Sequence, residues 1–99
     1  MDRVNVGGGV WFDRDSATRY GEKTRWDGSN HISEATGSQW EHEELYRSRR
    51  GAWYRYSWSQ WQGSRPSWET LSEADAHAWL IAQGHEDAVP EAALAAAEG

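Results

Sequence analysis

The chain contains no cysteine, so neither a disulfide framework nor a thiolate metal site is available to it. Absence of cysteine fits a reducing compartment, and the cytoplasm is the expected location. No apolar run approaches the roughly 18 residues of a membrane span, and the N-terminus carries no apolar signal-type segment. The chain is therefore expected to be soluble, with no membrane partner. Aliphatic residues are scarce as well: Leu, Ile, Val and Phe together number 11 of 99. In a strongly charged chain that level usually accompanies disorder.

Against disorder stand eight Trp and four Tyr. Each aromatic ring removes on the order of 150–250 Å² from water when buried. At about 25 cal/mol per Å², half a dozen of them can anchor a small core. The sequence therefore predicts one ordered domain, near the lower size limit for folding without a metal or disulfide.

The net charge of −6 is unevenly placed. Residues 1–59 carry nine basic and nine acidic side chains, while residues 60–99 carry Arg65 against seven carboxylates. An acidic C-terminal part disfavours nonspecific duplex binding and suits a basic protein partner or simple solvation.

The strongest local pattern is EHEELYRSRRGAWYRYSW, residues 41–58. Ser48-Arg49-Arg50-Gly51 fits a type I turn closed by a left-handed glycine, the loop of a bulged hairpin. That register pairs Arg47 with Trp53, Tyr46 with Tyr54, Leu45 with Arg55, Glu44 with Tyr56 and His42 with Trp58. Alternation then gives two unlike faces. Trp40, His42, Glu44, Tyr46, Tyr54, Tyr56 and Trp58 are expected to point inward. Glu41, Glu43, Leu45, Arg47, Trp53, Arg55 and Ser57 are expected to meet water, with Arg47 stacked on Trp53.

Elsewhere, Val10-Trp11-Phe12 reads as a strand stopped by Asp13-Arg14-Asp15-Ser16, and residues 23–26 as another closing on Asp27-Gly28. Residues 29–38 read as a polar loop. Ser67–Leu71 reads as a strand that feeds a helix over about 73–83. Ser72 is that helix's N-cap, Asp75 its acidic N3 residue and Gly84 its terminator. Ala76, Trp79 and Leu80 form its apolar stripe, expected to cover the aromatic face of the hairpin. Pro90 can open a second short helix over about 90–97. The expected fold class is α+β, an antiparallel sheet of about four to five strands under one C-terminal helix. The domain would span residues 10–84, with a flexible arm at 1–9 and an acidic, Ala-rich tail at 85–99.

Chemistry-bearing residues are few. His42 and Glu44 share a face about 7 Å apart along the strand, an arrangement open to general-base chemistry in a small hydrolase. The plainer assignment is a Glu44 satisfied by the hydroxyls of Tyr54 or Tyr56. His31 and His77 stand at no recognised metal spacing, and His77 and His85 do not share a helix face. Gly7-Gly8-Gly9 lacks the lysine and helix of a phosphate-binding loop. No catalytic residue, metal or cofactor is expected. Arg47, Arg49, Arg50 and Arg55 interleaved with Trp53, Tyr54 and Tyr56 could hold a single strand of nucleic acid. Glu41, Glu43 and Glu44 offset that charge. Trp, Tyr and Arg also dominate protein interfaces, which makes Arg47, Trp53, Arg55, Trp61 and Arg65 the expected partner-binding patch. An unpaired edge strand leaves a homodimer open.

The block from Leu45 to Leu80 resembles a loose group of short proteins carried by phages, plasmids and integrative elements. The resemblance rests on Leu45, Tyr46, Arg47, Gly51, Trp53, Gly63, Leu71, Ser72, Ala76, Trp79 and Leu80, with a weaker match from Phe12-Asp13 to Ala17. These are turn, cap and core positions, and no catalytic motif accompanies them. What the resemblance implies is a non-catalytic role: inhibition of a host defence system, as by anti-CRISPR proteins, or an adaptor for the element itself. The partner would be a host or element-encoded protein.

Overall fold

The computed structural model describes residues 1–99. It is an α+β fold of eight strands and two helices. The strands are β1 (Arg3–Gly7), β2 (Val10–Asp13), β3 (Thr18–Gly21), β4 (Thr24–Trp26), β5 (His31–Ser33), β6 (Glu41–Arg47), β7 (Trp53–Ser59) and β8 (Ser67–Leu71). The helices are α1 (Glu73–Ala82) and α2 (Glu91–Ala96), with single 3₁₀ turns at Arg14–Ser16 and Glu86–Ala88. A four-stranded antiparallel sheet in the order β3-β6-β7-β8 forms the centre. Two separate hairpins, β1–β2 and β4–β5, accompany it.

The central hairpin forms in the expected register: Arg47 faces Trp53, Tyr46 faces Tyr54 and His42 faces Trp58. Its turn closes with Gly51 N–H donating to Ser48 O and Ser48 N–H to Ala52 O, both at 2.8 Å. Gly51 stands at φ +90°, a conformation that side-chain-bearing residues rarely adopt. Helix α1 begins where Ser72 Oγ accepts the Asp75 N–H at 3.1 Å, and Gly84 follows its end at φ +81°.

The layers depart from the expectation. Helix α1 lies on the odd-numbered face of the hairpin, where Leu45, Trp53, Ala76, Trp79, Leu80 and Val89 make one buried cluster. Trp53 is 4% exposed and Leu45 fully buried, so the face expected to meet water is an interior one. The reason lies in shape and polarity. Leu45, Trp53 and Leu71 present an apolar strip that the narrow Ala76–Leu80 ridge of the helix can meet closely. The ring-rich even face carries tyrosine hydroxyls instead, and a second hairpin covers it. Val4 and Phe12 of β1–β2 cluster there with Tyr46 and Tyr54, with Tyr56 and Trp68 packed alongside. Phe12 stacks on Tyr54 at 4.7 Å between centroids and meets Trp68 edge-on at 5.3 Å.

Residues 3–7, expected to be a flexible arm, are thus a strand with Val4 buried. Gly7, which ends β1, and Gly8 and Gly9, which form the hairpin turn, all have positive φ. Residues 29–38, expected to be a loop, contribute β5, paired through Trp26–His31 and Thr24–Ser33 with β4. Part of the C-terminal tail is also tied in, because Val89 is buried with the helix cluster and Leu94 packs against it.

Candidate functional site

The two strands of the central hairpin outrun their cover. β6 and β7 are seven residues each, about 23 Å long, whereas β2 has four and reaches about 13 Å. Burial of the even-face rings falls away accordingly. Tyr46 and Tyr54 are buried, Tyr56 and Trp58 half-buried, and Trp40 is 40% exposed. Trp40 was expected inside; it sits beyond the last paired position, where no layer reaches it. Gln60 N–H donates to Trp40 O at 2.8 Å, and Trp61 N–H to Ser59 Oγ at 3.1 Å. These bonds fold the chain back so that the Trp61 ring lies 5.1 Å from that of Trp40. Trp61 is 59% exposed.

Beside this pair runs a groove of about 310 Å³, whose lining includes Thr36, Glu41, His42, Trp58 and Arg65. Arg65 is exposed and takes part in no ion pair, so its charge is available to a ligand. The groove wall is ordered by a polar node. The Glu22 carboxylate accepts from Ser33 Oγ and, at 3.0 Å, from the Glu43 N–H. It also accepts from His42 Nδ1 at 2.5 Å. Because a carboxylate can only accept, Nδ1 carries the proton. His42 Nε2 is buried and has no partner, and the ring stacks on Trp58 at 5.3 Å.

Glu44 does not join His42. Its carboxylate pairs with the Arg19 guanidinium of β3, rather than with the hydroxyls of Tyr54 or Tyr56. Gly21, not Arg19, faces Glu44 in the register. The contact is therefore diagonal across the strand pair, within reach of a long side chain.

The five residues expected to form one patch are divided. Trp61 and Arg65 both lie toward the open end of the hairpin, Arg65 in the groove lining and Trp61 against Trp40. Arg47 and Trp53 stand at its turn end, about 20 Å away. The Arg47 guanidinium lies 5.0 Å above the Trp53 ring, as expected, but there it seals an interior indole at its rim. Arg55 is held between Glu43, at 3.9 Å, and Glu69 of β8. With Trp53 and Tyr54 buried and Arg55 paired, the nucleic-acid surface read from residues 47–56 does not exist in that form.

Sequence reasoning missed Trp40, Glu22 and the exposed Trp11. For Trp40 no local signal existed, because its exposure depends on how far the covering layer reaches. For Glu22 none did, since nothing in the sequence joins it to residue 42.

The fold and this site define an α+β module with an exposed aromatic end. No family model matches the chain, and comparisons with curated proteins and with solved structures returned no match. No helix is long and apolar enough to cross a membrane.

Proposed function

We propose that the protein is a non-catalytic binding module that docks on another protein through the Trp40–Trp61 end of its sheet. One observation carries this reading: two indoles in contact at 5.1 Å, tilted 40° to each other and left half-exposed, with the unpaired Arg65 on the turn that follows. Trp and Arg are the residues that anchor interfaces. Covering the open halves of two indoles removes on the order of 200 Å² from water, about 5 kcal/mol before the cost of association. The partner is a host or element-encoded protein met in the cytoplasm. On the strength of the mobile-element resemblance, its docking inhibits a host defence system in the manner of anti-CRISPR proteins or serves the element as an adaptor. A second copy of this chain is the alternative occupant.

The test is affinity capture with tagged wild-type protein and with the Trp61→Ala and Trp40→Ala variants. A protein retained by wild type and by Trp26→Ala, but released by both end variants, supports the reading. If the end variants retain the same proteins as wild type, the Trp40–Trp61 end is not the docking surface.

A further inference from the structure

The opposite end of the molecule carries a second aromatic surface with different electrostatics. A cleft of about 500 Å³ opens between β2 and the turn of the central hairpin. Its lining includes Trp11 and Tyr54, together with Arg49 and Arg50 of the turn. Trp11 is 44% exposed, with the Arg3 guanidinium 4.6 Å from its ring centre.

The arginines sort by position. Arg14, Arg19, Arg25 and Arg55 are each tied to a carboxylate. Arg3, Arg47, Arg49 and Arg50 are in no ion pair, are exposed, and lie on the strands and turn at this end. The one carboxylate in the lining, Asp13, is engaged by backbone. Its Oδ1 accepts the N–H groups of Asp2 at 3.0 Å and Asp15 at 3.1 Å. The acidic excess of the chain belongs to residues 60–99, none of which lines the cleft.

We propose that this cleft binds single-stranded nucleic acid, a base stacking against Trp11 and the flanking phosphates held by Arg49 and Arg50. An exposed indole supplies a π-face that any base can use, and unpaired guanidiniums supply the phosphate contacts. A duplex would offer no free base face to Trp11. An acidic peptide could satisfy the arginines but has no need of the flat ring, so the combination favours the nucleic acid. This site is independent of the Trp40–Trp61 docking surface.

The experiment is fluorescence anisotropy with a labelled oligothymidylate of about 12 nucleotides, titrated with the full chain at low and rising salt. Binding at low salt that weakens as salt rises is expected. The Arg49→Glu/Arg50→Glu double variant should weaken binding at least tenfold and reduce the slope of log K against log salt by about 1.4, two phosphates at about 0.7 each. Trp11→Ala should weaken it about 5- to 150-fold, and Trp61→Ala should leave it unchanged. The turn variant replaces exposed side chains, so an unaltered thermal melt certifies its fold if Trp11→Ala proves unstable. Any of four results overturns the proposal: no binding at low salt, wild-type affinity in the arginine double variant, equal affinity for duplex, or tighter binding of an Asp/Glu-rich peptide than of the oligonucleotide.

Discussion

Glu22 and His42 meet at 2.5 Å although 20 residues separate them. The contact joins the segment after β3 to the start of β6. Through Ser33, the same carboxylate also fastens the β4–β5 hairpin to the central sheet. Little apolar area does that work: the paired residues Trp26 and His31 are both exposed.

Glu22→Ala should therefore destabilise the protein by about 2–3 kcal/mol, because it strands the Ser33 hydroxyl, the Glu43 N–H and the His42 Nδ1–H together. Urea denaturation followed by Trp fluorescence measures it. Glu22→Gln, whose amide oxygen can still accept, should lose less. A loss below about 0.5 kcal/mol for the alanine variant would mean the node is solvated and holds nothing.

Two tryptophans that look alike in the sequence should behave oppositely on truncation. Trp53 is 4% exposed beneath α1, so Trp53→Ala should cost about 3–5 kcal/mol. Trp61→Ala should change stability by no more than about 0.5 kcal/mol, since it removes exposed ring. Thermal melts of the two variants decide it, and the reverse order would place the helix on the other face of the hairpin.

The hairpin register was legible because Gly51 and the preceding Ser-Arg-Arg leave one economical turn, and a turn fixes every pair that follows. The Ser72 cap and the Gly84 stop were legible for the same local reason. Which face the helix covers was not. Both faces of the hairpin carry large rings, so alternation separates them without ranking them. The deciding fact is the second cover, the β1–β2 hairpin: β2 reads as a strand, but its partner β1 shows only Val4 and Val6 in alternation before three glycines. Reading those glycines as fraying left the ring face needing a lid and assigned the helix to it. At the candidate site Trp61 and Arg65 were legible from their place beside a turn. Trp40 was not, because its exposure follows from strands longer than their cover, a tertiary property. The Glu22 node depends on a contact between distant segments that no local pattern encodes.

Phe12 tests whether the N-terminal hairpin is part of the core. It is 4% exposed and touches Tyr46, Tyr54 and Trp68. Phe12→Ala should cost about 3–5 kcal/mol. It should also expose the amides of residues 3–7 to hydrogen exchange well before those of β6 and β7. A near-neutral substitution, with residues 3–7 exchanging freely in the wild type as well, would return that segment to a mobile arm.

Acid stability gives a test with a definite sign. The Asp13 carboxyl is held below its ordinary value of 3.8, chiefly by the Asp2 N–H and further by that of Asp15. Asp27 is lowered likewise, by the N–H of Asn30 first and of Ser29 second, in the turn between β4 and β5. A carboxyl whose pKa is lower folded than unfolded stabilises the fold fully above the unfolded value, and that contribution fades as pH falls through the folded one. The Asp13→Asn/Asp27→Asn variant should therefore be less stable than wild type at neutral pH. The gap should close as pH drops below about 3.8, where the wild-type carboxyls take up protons and lose their advantage. Urea melts of both proteins across that range measure the gap directly. A gap that held constant, or widened in acid, would show that these two turns gain nothing from the ionised carboxylates.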